Sequence, residues 1–95
     1  MTDIKNFRDL HIWQVSRKLV KDIYACTHHF PSKETYGLAQ QMQRAAVSVP
    51  SNIAEGHARG SRKEYTQFLI IARGSLAELE TQLLLSVDLG YCQED

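Results

Sequence analysis

The stretch SRKEYTQFLIIARGSLAELETQLLLSVDLG, residues 61–90, decides the fold class of this 95-residue chain. Ser61 is followed three positions later by Glu64, which is the S-x-x-E pattern of a helix capping box. Apolar residues then recur at steps of three and four until Gly90, a residue typical of helix C-termini. The pattern predicts one helix over about residues 62–89, roughly 40 Å long at 1.5 Å per residue.

Two shorter apolar patterns precede this helix. The first follows Asp9, the predicted N-cap, and indicates a helix over about residues 10–29. The second indicates a helix over about residues 37–56, with a kink predicted at Pro50. Because no strand-like alternation occurs, we predict a single all-α domain over residues 1–95, an up-down bundle of antiparallel helices.

The third predicted helix has more than one apolar face. Besides its main stripe it places large aliphatic residues on other sides, namely Ile70, Ile71, Leu84 and Leu85. Only two other helices are predicted to cover them, so one face should stay exposed in a single chain. We therefore predict a homo-oligomer, because association would bury that face.

Composition narrows the class of protein further. No apolar run approaches the roughly 20 residues of a membrane span, and no export signal is recognisable, so we expect a cytoplasmic protein without a membrane partner. Cys26 and Cys92 form no metal-binding or redox spacing and are expected to be free thiols. Residues 1–73 hold all 11 Lys and Arg against 6 acidic residues, whereas residues 74–95 hold 5 acidic residues and no basic one. This split suits either a nucleic-acid face or packing beside an oppositely charged neighbour.

Four blocks of sequence, in this order, carry a family resemblance: DLHIWQ (9–14), RAAVSVPSNIAEG (44–56), EYTQFLIIARGSLAELETQLLL (64–85) and DLGY (88–91). Together they resemble the bacterial 23S rRNA-intervening-sequence proteins, also labelled the S23 ribosomal protein family. The resemblance implies a four-helix bundle that associates into rings, typically homopentamers, and a related branch of the family binds nucleic acid. Such proteins usually continue into a fourth helix after the DLGY-like block. That helix is missing from this chain, either naturally or by truncation.

The stretch SVPSNIAEG, residues 48–56, ends the second predicted helix at Gly56 and places polar side chains on one side of it. With polar residues of the third helix it forms a predicted structural network of Ser48, Asn52, Glu55, Arg73, Ser75 and Glu78. An Arg73–Glu55 ion pair is the expected partnership, since a buried carboxylate needs a cation. A functional pocket or ring lumen is the other interpretation. We favour the structural one, because a lone carboxylate is a poor catalyst.

Basic residues cluster at the first helix and before the third. The candidate nucleic-acid contacts are Lys5, Arg8, Arg17, Lys18, Lys21, Arg59, Arg62 and Lys63. The last three lie near a helix N-terminus, where backbone N–H groups also favour phosphate. The pI near 6.9 is below the value above 9 that is common for nucleic-acid domains, so a solvated rim is the competing interpretation.

No catalytic or metal-binding arrangement is recognisable. His11 and His57 are isolated, and the adjacent His28 and His29 diverge by about 100° on a helix, so we predict no metal site and no cofactor. Cys26 is expected to be a small core residue. The leading hypothesis is a non-enzymatic oligomer, a pentamer if the family resemblance holds, that presents a basic rim to RNA or a ribonucleoprotein and has no small-molecule substrate. The alternative is a protein-binding scaffold without a nucleic-acid partner.

Overall fold

The computed structural model describes residues 6–92, which form three long α-helices joined by short turns. The helices are α1 (His11–Thr27), α2 (Leu38–Ala58) and α3 (Arg62–Asp88), with 3-10 turns at Phe7–Asp9 and Ser32–Glu34. No strand occurs within the described range. The structure confirms the all-α class and agrees with an up-down bundle, of which residues 6–92 supply three helices.

The chain enters α1 differently from the sequence-based expectation. Asp9 is not the N-cap of α1, because it lies inside the 3-10 turn Phe7–Asp9. Its carboxylate accepts a hydrogen bond from the Asn6 backbone N–H at 3.4 Å. The Asn6 side chain in turn accepts from the Arg8 N–H at 2.8 Å, so the two residues cap the 3-10 turn Phe7–Asp9. Leu10 precedes α1 without a side-chain cap. The polar residue before the apolar run therefore belongs to a separate turn.

The ends of α3 follow local capping chemistry. Ser61 Oγ accepts from the Glu64 N–H at 3.1 Å, and its hydroxyl donates to Glu64 Oε1 at 3.1 Å. The carboxylate therefore binds the hydroxyl rather than the Ser61 backbone N–H of a complete capping box. At the other end Gly90 adopts a φ of +79°, a left-handed conformation that glycine accepts without strain. This turn lets the Tyr91 N–H donate to the Ser86 carbonyl at 2.8 Å.

The central element of the bundle is α2. Both α1 and α3 pack on it, whereas no Cα atom of α1 lies within 8 Å of one in α3. The larger apolar core comprises Ile23, Phe30, Ala39, Met42, Ala45, Ala46 and Leu79. A second cluster of Val49, Ile53 and Ala72 lies further along α2 and is covered by Leu10, Trp13 and Leu69. This arrangement leaves a groove between α1 and α3 above α2.

Pro50 lies inside α2, which is helical on both sides of it. Proline has no N–H to donate to the carbonyl one turn earlier, so one backbone bond is lost. The carbonyl affected is that of Ala46, whereas the Asn52 side-chain amide donates to the Ser48 carbonyl at 2.7 Å and so does not replace the lost bond. Val49 and Ile53 remain buried against the other helices. The stretch 48–56 is therefore a packed helical segment rather than a loop.

Gly56 does not end α2, which continues to Ala58. A Cβ atom added at Gly56 would lie only 2.5 Å from Phe68 Cβ, a distance that requires the helices to shift. The glycine therefore permits α2 and α3 to approach closely. Its conformational freedom is not needed here, since its φ is not positive.

Gly56→Ala is expected to lower the free energy of unfolding by about 1–3 kcal/mol, because the new methyl group overpacks the α2–α3 contact. The matched control is Gly74→Ala in α3, where a Cβ would have no neighbour within 4 Å. That control should raise stability by roughly 0.5–1 kcal/mol through helix propensity alone. Urea denaturation followed by circular dichroism measures both changes. Equal stabilisation by the two substitutions would contradict the close-contact role of Gly56.

Candidate nucleic-acid interface

The predicted polar network is only partly assembled in the structure. Ser48 Oγ and Ser75 Oγ lie 2.8 Å apart across the α2–α3 contact, and the Asn52 amide donates to Ser48 Oγ at 2.8 Å. These three side chains are half-buried and contain no carboxylate. They therefore link the two helices without offering an acid or base.

The other predicted members lie elsewhere, and the expected Arg73–Glu55 pair is not formed. Glu55 is paired with Arg59 at 3.1 Å, one turn later on the same helix. Its side chain is 52% exposed, so it needs no buried cation from α3. Arg73 is exposed, and Glu78 accepts a long 3.5 Å hydrogen bond from Gln82. Glu55, Arg73 and Glu78 therefore lie at the surface, although their spacing in the sequence suggested a shared pocket.

The predicted basic contacts fall into two groups, apart from Lys5, which lies outside the described residues. Arg8, Arg17, Lys18 and Lys21 are exposed on α1 or just before it. Arg17 and Lys21 are one helical turn apart and share a face, whereas Lys18 is rotated about 100° away from Arg17.

The second basic group, the basic turn, consists of Arg59, Arg62 and Lys63 between α2 and α3. The Arg59 guanidinium already has partners within the chain. It pairs with Glu55 at 3.1 Å and with Glu64 at 3.6 Å. It also lies 5.1 Å from the centroid of the Phe68 ring. Arg62 and Lys63 are exposed and have no ion pair with another described residue. The cationic character of this turn therefore rests on two side chains rather than three.

A furrow follows the outer junction of α1 and α2. It consists of three adjoining grooves of about 670, 370 and 430 Å³ that share Trp13, Arg17 and Val47 along their borders. Its chemistry comes from three arginines, three aromatic rings and three amides: Arg8, Arg17, Arg44, Phe7, Trp13, Tyr24, Gln14, Gln40 and Gln43. Among the described residues no Asp or Glu lines it. We call this surface the α1–α2 furrow.

Aromatic rings and guanidinium groups are interleaved at one end of the α1–α2 furrow. The Arg17 guanidinium lies 5.6 Å from the Trp13 ring centroid, and that of Arg8 lies 5.9 Å from the Phe7 centroid. The Phe7 and Trp13 rings are 5.1 Å apart at an angle of 65°. Gln14 donates to the Arg8 carbonyl at 2.9 Å, which ties the 3-10 turn to α1. These contacts hold flat, half-exposed groups in fixed positions at the surface.

Sequence reasoning missed Arg44 as a member of this surface. Gln40, Gln43, Arg44 and Val47 recur at three- and four-residue steps, so they form a stripe on α2 opposite its buried face. That periodicity was the available signal. Only the packing of α1 on α2 places Arg44 in the same furrow as Arg17.

The groove between α1 and α3 differs sharply from the α1–α2 furrow. Its volume is about 520 Å³, and its walls include Ile12, Val15, Leu19 and Leu76. Leu76 is 43% exposed although its spacing places it on the main stripe of α3, because no helix covers it from the α1 side. Leucine and isoleucine side chains elsewhere on α3 are also about half exposed: Ile70, Ile71, Leu84 and Leu85. We call the groove between α1 and α3 the apolar groove.

Two further classes of site are not found within residues 6–92. No group of three His, Cys, Asp or Glu residues is arranged to hold a metal ion. No helix in this range has the length and apolarity to cross a membrane.

Comparison with known proteins identifies the family. A search of curated protein sequences gives no match to this chain. The family model described as "23S rRNA-intervening sequence protein" matches residues 8–95, which include all three helices and most of the α1–α2 furrow. The chain therefore belongs to the 23S rRNA-intervening sequence protein family.

Proposed function

We propose that this protein is a non-enzymatic, self-associating helical-bundle protein that binds RNA through the α1–α2 furrow and the basic turn. The observation that carries the proposal is the composition of the furrow, which combines arginines, aromatic rings and amides and has no carboxylate among the described residues that line it. Family membership is compatible with this activity but does not specify it.

The chemistry of the furrow favours single-stranded RNA. Arg8, Arg17 and Arg44 offer planar donors for phosphate oxygens, and binding them releases counterions from the nucleic acid. The half-exposed rings of Phe7 and Trp13 offer stacking surfaces for bases, which only unpaired bases can use. Because the net charge of the chain is zero, attraction to RNA must come from such local surfaces.

Neighbouring cations extend the furrow. Lys21 lies one turn beyond Arg17 on α1, and Arg62 and Lys63 stand on the first turn of α3. Arg62 and Lys63 lie where α2 ends and α3 begins. Positive side chains and the N-terminal dipole of α3 there favour additional phosphate contacts.

The polar network supports a non-enzymatic role. Ser48, Asn52 and Ser75 hydrogen-bond one another across a helix contact. Of the two carboxylates in the predicted set, Glu55 pairs with Arg59 and Glu78 accepts from Gln82. This arrangement lacks the nucleophile–base pair that hydroxyl catalysis requires. Its bonds serve to position α2 against α3.

Charge reversal tests the RNA proposal. Arg17→Glu combined with Arg44→Glu is expected to weaken binding of a fluorescent single-stranded RNA by tenfold or more, because two phosphate contacts become repulsive. Fluorescence anisotropy at 50 mM and 200 mM salt is the measurement, and the wild type should bind more weakly at the higher salt. The double variant Arg62→Glu/Lys63→Glu should lose affinity severalfold, since the turn supplies fewer contacts.

A matched control reverses two charges outside both surfaces. Lys18→Glu combined with Lys33→Glu changes the net charge equally, and neither residue lines the furrow, the basic turn or the apolar groove, so its affinity should remain within about twofold of the wild type if local contacts dominate. Circular dichroism must show that all variants keep their helicity. Equal losses in furrow and control variants, or no wild-type binding at low salt, would overturn the RNA proposal.

The apolar groove supports the second part of the proposal, self-association. A second copy is the occupant we favour, because the chain carries a basic portion and an acidic one that complement each other between copies. The competing function is a scaffold that binds only proteins. An intact oligomer that fails to bind RNA at low salt would favour that scaffold.

A further inference from the structure

Two cysteines that are far apart in sequence meet at one end of the bundle. Cys26 lies in the last turn of α1, and Cys92 follows the end of α3. Their Sγ atoms are 2.9 Å apart, although 66 positions separate the residues. Both are free thiols. A disulfide requires about 2.05 Å, so the sulfur atoms need approach by only roughly 0.9 Å.

Contacts that do not involve sulfur hold Cys92 in this position. The Tyr91 hydroxyl donates to Glu34 Oε2 at 2.8 Å, and the Tyr91 ring lies 5.2 Å from the Phe30 ring. The backbone N–H groups of Tyr91 and Cys92 both donate to the Ser86 carbonyl, at 2.8 and 3.2 Å. The segment after α3 is therefore fastened to the core, and the thiols are brought together by its folded course.

The hydrogen bond from the Tyr91 hydroxyl to Glu34 anchors the segment after α3 and is maintained at neutral pH. The Leu38 backbone N–H and the Tyr91 hydroxyl both stabilise the Glu34 carboxylate and lower its pKa. Glu34 therefore stays ionised as an acceptor over the range where thiols react. The Tyr91–Glu34 hydrogen bond therefore persists at the pH at which the two thiols react.

Small reagents have access to the pair. A groove of about 490 Å³ is lined by both cysteines together with Leu84 and Val87. Each thiol-bearing residue is half-exposed. A low-molecular-weight disulfide can thus reach sulfur without unfolding of the chain.

We propose that Cys26 and Cys92 form a reversible intrachain disulfide by exchange with a low-molecular-weight disulfide such as oxidised glutathione. One cysteine thiolate attacks a sulfur of the reagent, forming a mixed disulfide and releasing one small thiolate. The second cysteine thiolate then attacks the protein sulfur of that mixed disulfide and releases the other. The reagent gains two electrons, and the two cysteine protons end on the two small thiols.

Cys92 is the expected first nucleophile. Burial, together with the hydrogen bond that Cys26 shares with Cys92, raises the pKa of the Cys26 thiol to about 11, so little Cys26 thiolate is present at neutral pH. Cys26 then acts as the resolving thiol, helped by its proximity. The rate of disulfide formation should accordingly rise between pH 7 and pH 9.

The disulfide would join α1 to the segment that follows α3. No Cα atom of α1 approaches one of α3 within 8 Å, so the cross-link closes a long loop around the larger core. Restricting the unfolded chain in this way should raise Tm by roughly 10 °C or more. This inference concerns a modification site and does not depend on RNA binding.

Intact-mass analysis tests the proposal. Reduced protein is incubated with excess oxidised glutathione at pH 8, and remaining thiols are alkylated before measurement. The expected product has lost two hydrogens, carries no alkyl group, yields a Cys26–Cys92 peptide on digestion, and returns to the starting mass with dithiothreitol. Differential scanning calorimetry should show the rise in Tm for the oxidised form alone.

Single-cysteine variants provide the controls. Cys26→Ser and Cys92→Ser should accumulate glutathione adducts at the remaining thiol and show no oxidation-dependent rise in Tm. Cys26→Ser should form its adduct faster than Cys92→Ser. Wild-type protein that carries two glutathiones, or that cross-links only between chains on a non-reducing gel, would overturn the proposal.

Discussion

Replacing Leu79 by alanine is expected to lower the free energy of unfolding by about 3–5 kcal/mol, the range seen for well-packed core leucines. Leu79 is 2% exposed and is the contribution of α3 to the larger core cluster, beside Ile23 and Met42. The expected loss has two parts. One is the lost transfer free energy of the removed apolar atoms, and the other is the cost of the cavity left between the helices. Small domains have only about 5–15 kcal/mol in total, so the variant should be close to unfolded.

The control for this prediction is Leu84→Ala on the same helix. Leu84 is 56% exposed, so its truncation in a single chain should cost less than about 1 kcal/mol. Urea denaturation monitored by circular dichroism at one protein concentration gives both values. A loss at Leu84 as large as that at Leu79 would show that α3 buries its other face in solution, which would revise the core assignment.

The second large effect is expected on assembly. Val15→Glu combined with Leu76→Glu should reduce the mass in solution to that of one chain, 10.8 kDa, because both side chains line the apolar groove and are exposed in the isolated chain. Burying each such aliphatic residue against another copy contributes roughly 1.5–3 kcal/mol. Introducing carboxylates there would leave charges without partners in the interface.

Size exclusion with light scattering at micromolar concentration measures this effect. Tyr36→Glu is the control, since Tyr36 is 86% exposed in the α1–α2 connection and lies outside the groove. The wild type and this control should have the same multimeric mass. A wild-type mass near 10.8 kDa would reject self-association. A dimer would retain the physical argument but reject a ring of five.

The helices were predictable because their signals are local. Apolar residues at three- and four-residue steps report which side of a helix is buried, and Ser61 and Gly90 report where α3 begins and ends. The same local signals failed where one residue type serves two purposes. Asp9 suits a 3-10 turn as well as a helix cap, and Gly56 suits a close helix contact as well as a helix end.

The candidate interface was less predictable, because it is assembled from two helices. The sequence indicated Arg8 and Arg17 as exposed cations, but Arg44 joins them only through the way α1 packs on α2. It also suggested a partner for Glu55 on the wrong helix. Arg59 is both nearer in sequence and on the same exposed side, so the surface pair forms instead.

The sequence by itself determined the all-α class, three amphipathic helices and an excess of apolar surface on α3, since each depends on the order of residues within a few turns. The tertiary structure alone decided that Ser48 meets Ser75, that Leu76 stays exposed and that Cys26 faces Cys92. Such contacts depend on the register and spacing of packed helices. Those quantities are set by the fit of all side chains in the core together, and no short stretch of sequence records them.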